Sequence, residues 1–119
     1  MYSDNVIVVK SKNFAITIIH IYKFLTEKKH EYILSKQLLR SGTSIGANVK
    51  EAIRGQSKAD FYAKMNIALK EASESEYWLE LMAETSYLTK DEFDRAYGDC
   101  QEIIRILVSI TKTQHKEKR

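Results

Sequence analysis

The sequence predicts an all-α chain folded as an up-down-up-down four-helix bundle, and three observations predict it. Proline is absent from the 119 residues, where average usage of about 5% would place roughly six. Glycine occurs only four times, so little in the chain can interrupt a helix. Apolar residues also recur in alternating steps of three and four through four segments, the spacing that keeps one side of a helix apolar. These segments fall at roughly 5–28, 31–55, 58–86 and 90–114, and with short connections between them they make one domain over 1–119.

In the first segment Ile7, Phe14, Ile18, Ile21 and Leu25 form the stripe, with Ser11 filling its gap. The opening VIVV at 6–9 is β-branched and would also suit an extended strand. Helix is the better reading because no second strand exists to pair with it.

The second segment contains LLRSGTSIGAN at 38–48, which puts two glycines and three hydroxyl residues between apolar ones. Leu34, Leu38, Ser41, Ile45, Val49 and Ala52 pass through this stretch without losing register, so it reads as one helix with trimmed side chains. Gly42 and Gly46 form a G-x-x-x-G pair, the spacing that lets two helix backbones approach closely. Each interior glycine costs about 1 kcal/mol relative to alanine, which close packing must offset, and a local kink at Gly42 is expected. A phosphate-cradling loop is excluded by spacing and context. It would need G-x-x-x-x-G-K-[S/T] after a strand, whereas here Ala47 and Asn48 follow the second glycine.

The third segment has Phe61, Met65, Ala68, Ala72, Ser75, Leu79 and Met82 on its main stripe. Ile67, Trp78, Leu81 and Leu88 make a flanking stripe, so this helix should touch more than one neighbour. Ser57 with Asp60 resembles a capping box and sets the start near residue 58. Thr89 with Glu92 is a full capping box opening the fourth segment, whose stripe is Phe93, Ala96, Cys100, Ile103, Leu107 and Ile110. Cys100 is the lone cysteine, so it has no disulfide or zinc partner within the chain and reads as a small buried apolar residue.

No apolar run approaches the roughly 20 residues of a membrane span, and the N-terminus lacks signal-peptide order, so a cytoplasmic protein with no membrane contact is expected. The net charge is only +3, but alternating helix directions would separate it. Residues 1–14, 45–66 and 105–119 share one end and hold eleven Lys and Arg against four acids, a balance of +7, while the remainder carries −4. Neighbouring helices would account for much of the acidic half through surface pairs, each worth at most about 1 kcal/mol. Lys36 should face Glu76 and Glu80, Arg40 should face Glu74, Arg105 should face Glu71, and Arg95 should lie near Glu80. The basic end is less fully paired. Lys50, Arg54, Lys58, Lys64, Lys112 and Lys116 make a patch suited to phosphate backbones, although no helix-turn-helix, RRM, KH or zinc-finger signature accompanies it.

Catalytic groups are not apparent. Glu27 and His30 match the Glu-x-x-His spacing of di-iron bundles, but a single copy at a helix end does not make a metal site. His20 sits among apolar residues, no histidine is near Cys100 in sequence, and there is no G-x-S-x-G elbow. No cofactor, metal or catalytic residue is therefore expected.

The runs LSKQLLRSGTSIGANVKEA at 34–52 and QSKADFYAKMNIALKEASESEYWLELM at 56–82 closely resemble the four-helix-bundle family encoded in intervening sequences of bacterial 23S ribosomal RNA genes. The resemblance extends to Tyr22–Leu25 and to DCQEIIRILVSITKT at 99–113. It implies an all-helical bundle that assembles as a ring of five protomers. The family is also similar to the accessory proteins of diversity-generating retroelements, basic barrels that engage nucleic acid and a reverse transcriptase. The ribosomal association is one of gene location and does not make the chain a ribosomal protein. The residues themselves also point to a homo-oligomer. Gly42, Gly46, Tyr62, Tyr77 and Trp78 offer more small or apolar surface than one four-helix core should use, which places helices two and three at the interface. Two functions follow as expectations. The first is an oligomeric, non-enzymatic bundle binding RNA or DNA through its basic end. The second is a protein-interaction scaffold that holds a polymerase or ribosome-associated partner.

Overall fold

The three-four stripes are what the structure buries. A computed structural model describes residues 4–117, with side chains over 6–114, and contains four helices: α1 (Asp4–Glu27), α2 (Leu34–Ile53), α3 (Lys58–Glu84) and α4 (Lys90–Glu117). The β-branched opening at 6–9 is helical. Phe14, Ile18, Leu38, Ile45, Met65, Leu79, Met82, Ile103 and Leu107 are fully enclosed in one core. Each helix packs on two others in the order α1, α2, α3, α4 and back to α1; the diagonal pairs do not meet, and α1 against α4 is the loosest seam.

Cross-helix contacts show that neighbours are antiparallel. Ile18 packs on Gly42 and Ser11 on Gly46. Ser75 Oγ donates to Ser41 Oγ at 2.8 Å, Cys100 Sγ to the Ala72 carbonyl at 3.3 Å, and Tyr97 OH to Glu80 Oε2 at 2.7 Å. Lys10 reaches Glu102 at 3.0 Å. The result is a rod of about 50 × 22 × 20 Å.

The G-x-x-x-G pair thus serves packing inside the protomer. A Cβ on Gly42 would lie 2.8 Å from Ile18 Cγ1 and 2.9 Å from Cγ2, and Ile18 is fully buried, so the space is already taken. Gly46 is roomier, with the Ser11 backbone at 3.5 Å. Tyr62, expected on an outer surface, is buried at 7% exposure and stands edge-on to Phe61. Its place on α3, three residues before Met65, puts it on the core side of the helix. Gly42 and Tyr62 are thus buried within the protomer, while Gly46 is half-buried against Ser11.

Both expected capping boxes are present. Ser57 Oγ accepts from Asp60 N at 3.1 Å. Thr89 N donates to Glu92 Oε1 at 2.8 Å while Glu92 N donates to Thr89 Oγ1 at 3.2 Å. The start of α2 differs from expectation, at Leu34 rather than near 31. The Glu31 carboxylate folds forward and accepts the amides of Ile33, Leu34 and Ser35 at 3.1, 3.0 and 2.7 Å, replacing the cap that Ile33 lacks. Burial tends to raise the pKa of Glu31, but these bonds outweigh it and hold the group below the usual carboxylate value. α3 ends at Glu84, two residues earlier than expected. Ser86 takes a left-handed φ of 69°, Ser86 N donates to the Ala83 carbonyl, and Tyr87 N donates to that of Met82, which is a Schellman closure.

These observations fix the sign of three substitutions. Gly42→Ala gains about 1 kcal/mol of helix propensity but overpacks Ile18 at a cost of about 1–3 kcal/mol, so denaturant melts should show a net loss. Gly98, in the interior of α4 with nothing within 4 Å of a built Cβ, should gain about 0.5–1 kcal/mol as alanine. Ser86→Gly should also stabilise, because it relieves a left-handed conformation that L-residues disfavour by about 1–2 kcal/mol.

Candidate nucleic-acid interface

Two consecutive turns of α2 carry Lys50 and Arg54 on one face, four residues apart and hence about 6 Å along the axis. Arg54 is the C-cap of α2, and Gly55 N donates back to the Ala52 carbonyl at 3.1 Å to close the turn. A Cβ on Gly55 would lie 3.1 Å from both the Ala52 carbonyl oxygen and Asp60 Cβ, so the chain crosses tightly to α3. The crossing leaves a shallow groove of about 630 Å³ lined by Lys50, Glu51, Arg54, Gln56, Asp60 and Lys64.

The groove's charge is smaller than the residue tally of that end suggests. Lys64 Nζ sits 3.2 Å from Glu51 Oε1, both side chains well exposed. Asp60 stands in the first turn of α3, where a carboxylate suits the positive end of the helix, and it also faces the groove. Three cations against two carboxylates leave +1. Among the described residues no acid lies within ion-pair distance of Lys50 or Arg54, whereas Lys10 is paired with Glu102. Lys58, exposed at the first position of α3, stands beside the groove rather than in its wall. Lys112 is exposed on α4 and is not part of the groove's lining. Lys116 lies outside the residues whose side chains are described. The structure therefore brings Lys50, Arg54 and Lys64 together in one groove, with Lys58 and Lys112 outside its lining.

Tyr77 is 53% exposed and Trp78 half-buried on the outward side of α3. Trp78 Nε1 donates to Glu74 Oε1 at 3.1 Å. Arg40 bridges Glu74 and Glu71, with 2.8 Å to Glu71 Oε2. The expected Arg40 to Glu74 pair is thus present, but Arg40 rather than Arg105 holds Glu71, and Tyr97 rather than Arg95 holds Glu80. Lys36 makes no ion pair among the described residues. Sequence counting placed the helix faces correctly but could not rank competitors: a long guanidinium on α2 reaches two carboxylates a turn apart on α3, and a phenol on α4 lies closer to Glu80 than any arginine.

Two groups on α4 have raised pKa values. Burial first, then nearby carboxylates, pushes the Cys100 thiol up to about 12, far from the thiolate a nucleophile needs. The hydrogen bond to Glu80 first, then burial, raises the Tyr97 phenol to about 12. His30 Nδ1 contacts Tyr32 OH at 3.0 Å, and His20 borders a groove on the α1–α4 seam with Glu92 and Arg95. Among the described residues no three His, Cys, Asp or Glu side chains converge on a metal position, and no helix is long and apolar enough to cross a membrane.

A family model described as 23S rRNA-intervening sequence protein matches residues 3–109. The chain belongs to that family. Among solved structures it is similar to a Bacteroides thetaiotaomicron protein of unknown function from the S23 ribosomal protein family. The TM-score is 0.90 at 53% identity, covering 92% of this chain and 97% of that one. No curated protein matches it. The family assignment accounts for the four helices; it brings no ligand with it.

The Arg40 network makes a prediction. Hydrogen bonding to Arg40 first holds Glu74 below the ordinary carboxylate value despite burial. A carboxylate with a depressed folded pKa stabilises the fold above its unfolded value of about 4.3, and that stability is lost as pH falls through the folded value. Arg40→Met should cost about 1–2 kcal/mol at neutral pH, much of it from leaving Glu71 buried without a partner. The gap between variant and wild type in thermal melts should narrow below about pH 4.

Proposed function

We propose that the protein is a non-enzymatic, oligomeric helical bundle of the cytoplasm whose basic end holds the phosphate backbone of RNA or DNA. Five copies is the number that the family resemblance implies. The observation that carries the reading is the pair Lys50 and Arg54, one helical turn apart at the mouth of an open groove, with no carboxylate of the described residues engaging either. No described aromatic ring is exposed beside them, since Phe61 is half-buried and Tyr62 buried, so recognition through phosphates rather than stacked bases is favoured. With only +1 in each groove, a single protomer should bind weakly, and several acting together would give useful affinity.

Fluorescence anisotropy with labelled RNA and DNA duplexes between 50 and 200 mM salt tests this. Affinity should fall steeply with salt, and Lys50→Glu with Arg54→Glu should weaken every sequence alike while flattening the salt slope by about 2. Glu51→Gln and Asp60→Asn, which unmask the groove, should tighten binding several-fold. Absence of binding at 50 mM salt, or binding indifferent to salt, would remove the reading.

A second reading is a scaffold for a protein partner such as a polymerase or ribosome-associated protein. Tyr32 and Ile33 favour it: both stand exposed, at 58% and 76%, on the α1–α2 turn at the opposite end of the rod. Capture of a partner that survives nuclease and is lost on Tyr32→Ser with Ile33→Ser would support this reading over the first.

A further inference from the structure

The seam between α1 and α4 is the loosest of the four, and toward the end of the rod that carries the α1–α2 turn it opens into a groove of about 340 Å³. Ala96 of α4 is buried at its floor, and a methyl group is too short to fill the space between the helices. Ile21 and Phe24 of α1, which a tighter seam would enclose, are therefore left half-buried along the groove.

The polar groups that border this apolar surface have bonding capacity to spare. Glu92 and Arg95 lie about one turn apart on α4 and both line the groove, yet no ion pair joins them. Glu92 turns back to its own helix start, where Oε1 accepts the Thr89 amide at 2.8 Å. That leaves Oε2 free, and leaves the Arg95 guanidinium without an acid among the described residues. Across the seam, Thr17 Oγ1 makes no hydrogen bond among the described residues, whereas Thr26, Thr43 and Thr111 each donate to the carbonyl four residues back.

We propose that this groove binds a free α-amino acid with an apolar side chain. Such a molecule carries a carboxylate and an ammonium on one carbon, so it needs a cation and an anion side by side above an apolar surface. Arg95 offers a planar fork to the carboxylate, Thr17 Oγ1 is a second donor to it, and Glu92 Oε2 accepts from the ammonium. A side chain between leucine and phenylalanine in size then covers Ile21, Phe24 and Ala96. Simpler ligands fit less well: an apolar anion alone meets Glu92, and an apolar cation alone meets Arg95. One side of the groove is open to water, so the dissociation constant should be on the order of 0.1–1 mM. The groove lies at the opposite end of the rod from Lys50 and Arg54, and this site does not depend on the nucleic-acid reading.

Titrating the isotopically labelled full chain with L-leucine and L-phenylalanine, followed by two-dimensional NMR, tests this. Amide signals of residues 17–24 and 92–96 should move to saturation, while those of 50–64 stay in place. On wild type, phenethylamine, which lacks the carboxylate, and 3-phenylpropionate, which lacks the ammonium, should each bind at least fivefold more weakly than L-phenylalanine. Arg95→Gln should weaken L-phenylalanine at least fivefold without weakening phenethylamine. Glu92→Gln, whose amide oxygen can keep the Thr89 cap, should weaken L-phenylalanine by a similar factor without weakening 3-phenylpropionate. Arg105→Gln, exposed about 15 Å further along α4, should leave binding unchanged. The proposal is overturned if the groove signals stay still at about 10 mM amino acid, if the three phenyl ligands bind wild type alike, or if Arg105→Gln weakens binding as much as Arg95→Gln.

Discussion

The fold depends on how close α2 can come to its two neighbours. Its core-facing line, Ser35, Leu38, Ser41, Gly42, Ile45, Val49 and Ala52, alternates small with large. Where it is small a neighbour fills the gap: Ile18 occupies the space that a side chain on Gly42 would take, and Ser75 closes against Ser41 with a hydrogen bond. Small side chains leave backbone close to backbone, and the hydroxyls are satisfied locally. Ser41 Oγ reaches the Leu38 carbonyl at 3.3 Å and Ser75 Oγ the Glu71 carbonyl at 2.9 Å. A polar group in a core is costly when unpaired. Here no buried side-chain polar atom of the described residues lacks a partner, so this seam keeps its serines without penalty and gains specificity of register.

That register decides what the surface can do. Fixing α2 between α1 and α3 puts the C-terminal turn of α2 against the N-terminal turn of α3, and so sets Lys50 and Arg54 beside Lys64. It also turns Arg40 toward Glu71 and Glu74, which ties up the acidic middle of α3. The acids in the middle of α3 are thereby neutralised, while Lys50 and Arg54 at the end of α2 meet no acid among the described residues. The seam between α1 and α4 has no such interlock; Lys10 to Glu102 is its cross-helix ion pair, and two of the molecule's grooves lie along it.

Much of the fold was legible in the sequence because the core periodicity is strong. The stripe through the glycines predicted an unbroken α2, and both Ser57 and Thr89 marked true helix starts. What escaped was what depends on a single conformation or on reach. Left-handed residues at His30 and Ser86 end or turn the chain without the glycine that usually signals such a stop, so boundaries there shifted by two or three residues. Tyr62 fits an outward position by sequence because an aromatic with a hydroxyl suits either environment; the packed geometry separates it from Tyr77, which is outward. The candidate site was legible as a set of lysines and arginines on the right helices. Its division was not, because the neutralising roles of Glu51 and Glu102 depend on side chains meeting across helices.

The basic groove meets one consequence of topology. A dipolar rod packed parallel to its copies must point every basic end the same way, whereas an antiparallel pair would place basic end against acidic end and cancel the polarity. Any assembly of copies with their rods parallel would therefore set several grooves of +1 at the same end. Weak contacts presented together bind a polymer far better than any one of them does, since the second and later contacts are made at high local concentration. Each released counterion also adds to the salt dependence. The same topology leaves Tyr32 and Ile33 exposed at the opposite end of the rod, among the charged residues of the α1–α2 and α3–α4 turns.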